Sequence, residues 1–266
     1  MSPRIAVAAT APFGADVLER LAGRHEIRAL LTRPDARAGR GRKPAPPPAK
    51  AVAERLGIPV VQPERLEPGL DLGAPTVVAV AYGLIVPEAV LAERLWLNVH
   101  PSLLPRWRGA APVERAIMAG DAETGVTVIR LVKELDAGPI AAQRAFAIEP
   151  DDDAGAIYEK AAPLAVELLD EALDEPTFEP QPDEGATYAE KIGPADRALD
   201  LSRPASELVA QVRALSPHIG ARAELHGRGV TVWRARVGDD GRFEPLDVQP
   251  DGGRRMEYDA WLRGLR

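Results

Sequence analysis

The run Arg4–Ala9, with the sequence RIAVAA, predicts a β-strand buried on both faces, because five consecutive apolar residues follow one charged residue. Apolar residues at helical spacing follow over about residues 15–22, and Ile27–Leu31 reads as a second apolar strand. Strands that are apolar on both faces and alternate with helices are typical of parallel sheets covered by helices. The beginning of the chain therefore predicts an open, doubly wound α/β fold.

The same alternation continues as far as residue 174. Two further helices are predicted, over about residues 49–56 and over Asp153–Leu173, the second with an acidic outer face. Additional strands are predicted at Ile58–Val61, Val77–Ala81, Leu95–Val99 and, near the edge of the sheet, Thr124–Val132. Residues 1–174 are therefore expected to form one domain with a mostly parallel, Rossmann-like sheet.

A proline-rich and acidic segment, DEPTFEPQPDE over residues 174–184, marks a change in composition. It predicts a semi-rigid linker, which we place at residues 175–196. Beyond it, Pro204–Leu215 predicts a short helix, and the residues around His226–Gly229 predict a β-hairpin. Residues 197–266 are therefore expected to form a second, small and mostly β domain.

Composition excludes several classes of site. The 266 residues include no cysteine, which excludes disulfides, thiolate catalysis and cysteine-ligated metals. The sequence contains no dinucleotide fingerprint, no phosphate-binding P-loop, no serine nucleophile elbow and no histidine pair at metal-ligand spacing, so no metal is expected. Apolar runs stay far below the roughly 20 residues of a membrane-spanning helix, and no secretion signal is visible. A cytoplasmic enzyme with no membrane partner is expected.

Charge is sorted along the chain. The formal net charge of −7 disfavours, by itself, a nucleic-acid partner. Residues 149–190 hold fourteen acids and one base, whereas residues 197–266 hold twelve arginines and ten acids. Residues 28–50 hold seven bases and one acid, a net charge of +6. A local basic site is therefore compatible with an acidic protein.

The stretch NVHPSLLPRWRG, Asn98–Gly109, follows a predicted parallel strand at its carboxyl end, where open α/β sheets bind ligands. Asn98 and His100 are two residues apart and so face the same side of a strand. An amide can donate to a developing oxyanion, and an imidazole can transfer a proton near neutral pH. An isolated Asn-x-His pair is more often only a structural hydrogen-bonding pair, so the pair alone does not establish catalysis.

The whole twelve-residue stretch resembles the signature of the formyltransferases that use 10-formyltetrahydrofolate. The resemblance implies three catalytic residues: Asn98, His100 and Asp136, the last from the turn Leu135-Asp136-Ala137-Gly138. It also implies that 10-formyltetrahydrofolate is the formyl donor and that residues 1–174 are the catalytic domain. The expected contacts to this donor come from Tyr82, Gly83, Leu84, Ser102, Leu103, Leu104 and Pro105.

Two further stretches resemble those family members that formylate the methionine of initiator tRNA. The basic segment Arg33–Lys43 resembles their insertion loop, and Thr187–Ile192 (TYAEKI) resembles their domain junction. The resemblance implies transfer of the formyl group to the α-amine of methionyl initiator tRNA. The implied tRNA contacts are Arg37, Arg40, Arg42 and Lys43, whose charges can follow a phosphate backbone. Most charge runs are nevertheless only solvated surface loops.

The second domain departs from the family pattern because only thirty residues follow Arg236. We expect a reduced, OB-like barrel there, and no feature requires a dimer, so a monomer is expected. Three alternatives stay open at this point: a sugar-nucleotide N-formyltransferase with the same donor, a smaller single-domain glycinamide ribonucleotide formyltransferase, and a non-catalytic tRNA-binding homologue. The second domain weighs against the glycinamide enzyme, and the Asn98, His100 and Asp136 set weighs against the non-catalytic homologue.

Overall fold

A computed structural model describes residues 3–38, 43–174 and 176–265. The strands in this part of the chain are β1 Arg4–Ala9, β2 Glu26–Leu31, β3 Ala36–Ala38, β4 Lys43–Ala45, β5 Val60–Val61, β6 Thr76–Val80, β7 Leu95–His100, β8 Arg108–Gly109, β9 Glu123–Arg130, β10 Ile140–Ala147, β11 Tyr188–Ala189, β12 Ala221–Leu225, β13 Arg228–Val237, β14 Phe243–Pro250 and β15 Met256–Glu257. The helices are α1 Pro12–Ala22, α2 Pro48–Leu56, α3 Glu88–Leu91, α4 Pro112–Ala119, α5 Ala154–Asp174, α6 Pro194–Arg197, α7 Ala205–Leu215 and α8 Tyr258–Arg263.

The main sheet has seven strands in the order β10-β9-β7-β6-β1-β2-β5. The five strands from β7 to β5 in that order are parallel, and β9 runs antiparallel to β7. Residues Ile5–Ala9 of β1 are completely buried, as expected for a central strand with helices on both faces. The predicted doubly wound, mostly parallel α/β fold is confirmed.

Close contact between α1 and the sheet depends on Gly14. A Cβ atom at this position would lie 2.4 Å from the carbonyl oxygen of Val80, at the carboxyl end of β6. Only glycine allows the helix to approach the strand this closely. The carboxyl ends of β6 and β7 lie side by side because the two strands pair in parallel, and this edge of the sheet is where such folds bind ligands.

Three features of this sheet and its loops differ from the sequence-based expectations. Strand β10 was not predicted, because its sequence IAAQRAFA is rich in alanine and contains only one β-branched residue, Ile140. Part of the basic segment forms a two-stranded ribbon in which Ala36 pairs with Ala45, whereas the sequence predicted only a flexible loop. The prediction that His25 is a surface residue was wrong, since its side chain is 7% exposed and its Nε2 lies 2.7 Å from Asp170 Oδ1.

A second, antiparallel sheet has the strand order β12-β13-β14-β15. Within the described residues it is an open sheet, since no pairing joins β12 to β15, and it packs on α7 and α8 around Val232, Val248 and Trp261. The predicted helix Pro204–Leu215 and the predicted hairpin are both present, whereas α8 was not predicted. The small, mostly β second fold expected from the sequence is confirmed.

The arginines of this sheet are largely neutralised by neighbouring acids. Arg222 pairs with Asp251, and Arg236 pairs with Glu244, and each arginine lowers the pKa of its partner carboxyl group through a hydrogen bond. The carboxylate of Asp247 is shared by Arg234 at 3.4 Å and Arg255 at 2.9 Å. Such exposed pairs add little stability, but they cancel much of the positive charge that the sequence assigns to this part of the chain.

Contacts divide the chain into two compact units. The first comprises residues 1–108, 125–145 and 160–187, and the second comprises residues 109–124, 146–159 and 188–266. The domain limits expected from composition, at residues 174 and 197, stay a prediction. Of the helices that the structure describes, none combines the length and the apolar character needed to cross a membrane.

Candidate active site

The three side chains expected to be catalytic lie together in the first unit, at the carboxyl end of β7. His100 is 4% exposed, and its Nδ1 lies 3.7 Å from Asp136 Oδ2. Asn98 donates from Nδ2 to Asp136 Oδ1 at 3.4 Å. The Asp136 carboxylate, whose side chain is 11% exposed, therefore faces both the amide and the imidazole. A turn 38 residues away from Asn98 along the chain completes the cluster.

The tautomer of His100 follows from its second contact. Its Nε2 lies 2.7 Å from the carbonyl oxygen of Trp107. A carbonyl oxygen can only accept a hydrogen bond, so Nε2 must carry a hydrogen and donate it. Nδ1 is therefore the ring nitrogen that can take up and release a proton. The distance of 3.7 Å from Nδ1 to Asp136 Oδ2 is too long for a hydrogen bond but is within ion-pair range of an imidazolium.

Both groups that face His100 come from residues with left-handed backbone. Trp107 has a φ of 65° and Asp136 has a φ of 47°, values that are uncommon for residues other than glycine. The Trp107 amide donates to Thr187 Oγ1 at 2.9 Å, and the Arg106 guanidinium stacks 4.4 Å from the Trp107 ring centroid. Strained backbone of this kind persists only where surrounding contacts hold it and is concentrated at functional sites.

The turn that carries Asp136 depends on Gly138. A Cβ atom at this position would lie 1.8 Å from the carbonyl oxygen of Arg130, a distance no side chain can adopt. The Arg130 amide in turn donates to the Pro139 carbonyl at 3.0 Å, and the Leu131 amide donates to the Trp96 carbonyl of β7 at 2.9 Å. The turn is thus tied to the strand that carries Asn98 and His100.

The segment Ser102–Pro105 forms a wall next to His100, and much of its backbone is hydrogen-bonded within the protein. Ser102 and Leu104 are buried. The hydroxyl of Thr127 donates to the Ser102 carbonyl at 2.6 Å and accepts from the Leu104 amide at 3.2 Å, and Gln143 donates to the Leu104 carbonyl at 2.9 Å. The Ser102 carbonyl and both backbone groups of Leu104 are therefore already hydrogen-bonded within the protein. Leu103 and Pro105 are half-buried.

The loop after β6 presents apolar side chains beside this wall. Tyr82 is buried, and burial raises the pKa of its phenol to about 12, against a smaller opposing effect of the Arg33 guanidinium. The Tyr82 carbonyl accepts from Thr10 Oγ1 at 2.8 Å, and Gly83 adopts a φ of 78°. Leu84 and its neighbour Ile85 are 41% and 88% exposed. Exposed apolar side chains at the ligand-binding edge of a sheet favour a ligand with an apolar face.

The residues expected to bind tRNA are described only in part. Arg37 and Lys43 lie in the ribbon of β3 and β4, where the structure describes their backbone but not their side chains. Arg40 and Arg42 lie outside the described residues. Asp35, the acid of this basic segment, is bonded to Lys50 at 2.8 Å, and hydrogen bonds from Gln62 and Lys50 lower the pKa of its carboxyl group.

Two polar side chains near the site were missed by the sequence analysis. Gln181 and Thr187 both come from the segment predicted as a linker, and they bond to the Asp136 turn and to Trp107, respectively. A single glutamine or threonine in a proline-rich segment has no periodicity and no motif spacing. Thr187 is the first residue of the TYAEKI stretch, which is the only sequence signal available for either of them.

Comparison with known proteins agrees with this geometry. A family model described as formyl transferase matches residues 3–173, and one described as formyl transferase, C-terminal domain, matches residues 191–244. The chain is 40% identical over 290 residues to methionyl-tRNA formyltransferase of Paracoccus denitrificans, covering 98% of this chain and 97% of the relative. The chain belongs to the methionyl-tRNA formyltransferase family. Identity to the Methylobacterium sp. member is 42%, covering 100% of this chain and 97% of the relative.

Solved structures share the fold at low identity. HypX from Aquifex aeolicus, in complex with tetrahydrofolic acid, has a TM-score of 0.69 at 18% identity, covering 98% of this chain and 46% of that protein. Methionyl-tRNA formyltransferase from Clostridium thermocellum has a TM-score of 0.65 at 14% identity, covering 93% of this chain and 98% of that protein. These similarities establish the formyltransferase fold, and the assignment to the methionyl-tRNA formyltransferase family rests on the sequence relatives.

Proposed function

We propose that this protein transfers the formyl group of 10-formyltetrahydrofolate to the α-amine of methionine esterified to initiator tRNA, and so prepares that tRNA for translation initiation. The observation that carries the proposal is the cluster of Asn98, His100 and Asp136 at the carboxyl end of β7, with Nδ1 of His100 3.7 Å from the carboxylate. Relatives about 40% identical over nearly the whole chain bear the name methionyl-tRNA formyltransferase, which supports the same acceptor.

In this reaction His100 acts as the base. The attacking amine forms a bond to the formyl carbon, the bond from that carbon to N10 of the donor breaks, and N10 gains a proton. Nδ1 of His100 takes the proton that the amine loses, because Nε2 is bonded to the Trp107 carbonyl. The Asp136 carboxylate stabilises the positive imidazolium that results, since it faces Nδ1 from a largely buried position.

Asn98 supplies the electrophilic part of the site. Its Nδ2 carries two hydrogens, and one of them points to Asp136 Oδ1 at 3.4 Å. The other is available to the formyl oxygen, which gains negative charge during attack. Donors placed in this way are worth about 10²–10³-fold in rate in enzymes that use an oxyanion hole. The roles of Asn98, His100 and Asp136 all need the carboxylate to stay where the turn at Gly138 holds it.

The apolar surfaces on both sides of the cluster suit a flat donor molecule. Tyr82, Gly83 and Leu84 follow β6, and Ser102–Pro105 follow β7, so the two segments leave adjacent strands at one edge of the sheet. Ile85 is largely exposed in the same loop, which supports adding it to the proposed set. We propose that Leu84, Ile85, Leu103 and Pro105 contact the ring of the donor, whereas Ser102 and Leu104 keep the wall in place.

The acceptor requires a basic surface, and the basic segment at residues 33–43 is the better candidate for it. Its charges have one acid among them, Asp35, which is already bonded to Lys50. The arginines of the second sheet, in contrast, are mostly paired with acids. We propose that Arg37, Arg40, Arg42 and Lys43 contact tRNA phosphates and that the second sheet adds little to affinity.

The assay that tests the function supplies purified protein with 10-formyltetrahydrofolate and methionyl initiator tRNA. Formylmethionyl-tRNA is the expected product, with no turnover of amino-sugar nucleotides under the same conditions. Formylation of an amino sugar instead of the tRNA would overturn the proposed acceptor while leaving the donor site intact. Binding of the tRNA with no formylation of either acceptor would leave only the non-catalytic homologue.

Loss of charge in the basic segment is expected to weaken tRNA binding. The combined change Arg40→Ala and Arg42→Ala should raise KM for the tRNA by about tenfold at moderate salt, because fewer counterions are released on binding. KM for the folate donor and kcat at saturating tRNA should change by less than about twofold. Steady-state kinetics at two salt concentrations measures these values, with a reduced salt dependence expected in the variant.

The control for this prediction is Arg20→Ala, which removes an exposed arginine that pairs with Asp16 on α1. It lowers the total positive charge but lies outside the basic segment, so KM for the tRNA should be unchanged. An equal rise in KM for both variants would assign the effect to net charge rather than to a tRNA site at residues 33–43.

A further inference from the structure

Gln181 uses its entire hydrogen-bonding capacity on residues around the proposed active site. Its Nε2 donates to the Asp136 carbonyl at 2.8 Å and to the Gly138 carbonyl at 2.7 Å. Its Oε1 accepts from Nε of Arg108 at 3.0 Å and from Nη2 of Arg108 at 2.8 Å. A side-chain amide has two donor hydrogens and two acceptor lone pairs, and all four are engaged here.

The chemistry of the partners fixes which way the amide points. Carbonyl oxygens only accept hydrogen bonds and a guanidinium only donates them, so the nitrogen must face the turn and the oxygen must face Arg108. Glutamate in this place could accept from Arg108 but could not donate to the two carbonyls. Methionine, which is similar in length, could do neither. Glutamine is therefore the residue type that satisfies both sides.

The two sides joined by Gln181 are the two segments that face His100. One is the turn containing Asp136, whose carboxylate stands 3.7 Å from Nδ1. The other contains Arg108, a buried residue that directly follows Trp107, whose carbonyl accepts from Nε2. Each segment includes a residue with positive φ, Asp136 and Trp107, so each needs contacts that hold it.

Gln181 is itself held by bonds on both sides along its segment. Glu179 and Ile140 exchange backbone hydrogen bonds of 2.7 Å and 2.9 Å. On the other side, the Arg108 amide donates to the Thr187 carbonyl at 2.9 Å, and the Trp107 amide donates to Thr187 Oγ1 at 2.9 Å. The side chain therefore extends from an anchored backbone, which a linker without contacts would not provide.

We propose that Gln181 is a positioning residue for formyl transfer: it keeps the Asp136 carboxylate beside Nδ1 of His100 and couples that distance to the Trp107 carbonyl on Nε2. Gln181 contacts neither nitrogen of His100 and acts only through the turn and through Arg108. This inference rests on the proposed function for its rate effect, but the way the His100 imidazole is held can be probed without any substrate.

The test compares Gln181→Met and Gln181→Glu with the control Glu184→Ala, which alters an exposed residue three positions along the same segment. Both Gln181 variants should lower kcat by about 10–100-fold, whereas KM for the tRNA and for the folate donor should change by less than about threefold. Gln181→Glu keeps an acceptor for Arg108 and so serves if Gln181→Met fails to fold. Glu184→Ala should behave like the wild type.

NMR of His100 in protein without substrate gives a readout that a merely structural role would not move. The Nε2 hydrogen of His100 donates to the Trp107 carbonyl, so the chemical shift of this N–H group reports how the imidazole is held. Both Gln181 variants should move this resonance, because the turn that carries Asp136 loses its two hydrogen bonds from Gln181. Glu184→Ala should leave it unmoved.

The outcomes separate this inference from the proposed function. Wild-type kcat and an unmoved His100 N–H resonance in a folded Gln181 variant would overturn the positioning role. A general loss of stability, with KM values raised and the resonance unmoved, would also overturn it. A wild-type protein that fails to formylate methionyl-tRNA would overturn the proposed function, while a moved resonance would still support the positioning role.

Discussion

Replacing His100 by alanine is expected to lower kcat for formyl transfer by about 10²–10⁴-fold, the range found for a lost general acid–base group. Nδ1 of His100 is the nitrogen that can accept the proton from the attacking amine, because the Trp107 carbonyl holds Nε2 at 2.7 Å. Without it, proton transfer must go to water. KM for the tRNA should change by less than about threefold, since the proposed role of His100 involves no contact to a phosphate or a base. Single-turnover measurements at saturating donor isolate this step.

A matched control for His100→Ala is His218→Ala. His218 is exposed and lies in the second unit, so its loss should leave kcat unchanged. A second variant, His100→Gln, places an amide near the Trp107 carbonyl but has no group that takes up a proton, so it should be as slow as alanine. Near-wild-type turnover in either His100 variant would remove His100 from the mechanism.

Replacing Gly138 by alanine is expected to abolish most of the activity and to destabilise the protein. The added Cβ would stand 1.8 Å from the Arg130 carbonyl, so the turn must move away from β9. Forced overpacking of this kind costs about 1–3 kcal/mol in free energy of unfolding and sometimes more. Displacement of the turn carries Asp136 away from His100 and Asn98, so kcat should fall by at least about 10²-fold.

Urea unfolding gives the free energy of unfolding for this variant, and initial rates give kcat. The control is Gly23→Ala at the carboxyl end of α1, where φ is −78° and the nearest atom to the added Cβ is 3.4 Å away. It should change stability by less than about 1 kcal/mol, because the backbone there is open to alanine. A Gly138→Ala protein with wild-type stability and rate would mean that the turn does not need the close approach to Arg130.

The elements that the sequence predicts well are those in which the local pattern and the tertiary environment agree. After Arg4, the run Ile5–Ala9 is apolar throughout and becomes the buried part of a central strand, β1, with the predicted limits. The helix predicted at Asp153–Leu173 is present as Ala154–Asp174. In both cases the pattern of apolar residues in the sequence predicts which residues the fold buries.

Strand β10 and the burial of the His25 side chain could not be predicted from the local sequence. IAAQRAFA forms a strand because β9 offers it a neighbour, although its own residues have low strand propensity. His25 is buried because Asp170, 145 residues away, supplies a partner for its imidazole. Long-range partners of this kind leave no mark on the local sequence.

The candidate site likewise contains residues that the local sequence predicts and residues whose role depends on distant parts of the chain. Asn98 and His100 are two residues apart on one strand, so their shared side follows from strand geometry. Asp136 was linked to them only through a family resemblance, and the structure places its carboxylate beside both. No sequence pattern indicated Gln181, because its proposed role depends on the carbonyl groups of a turn that lies 45 residues earlier in the chain.

The bond between Nε2 of His100 and the Trp107 carbonyl has a consequence for the stereochemistry of the reaction. With one ring nitrogen occupied, the imidazole cannot receive a proton on one edge and release it from the opposite edge. Under the proposed mechanism, the incoming methionine nitrogen and the departing N10 must therefore both approach the same edge of the ring, one after the other. This requirement limits the relative orientations of the two large substrates around the formyl carbon to those that bring both nitrogens to the Nδ1 edge of the imidazole.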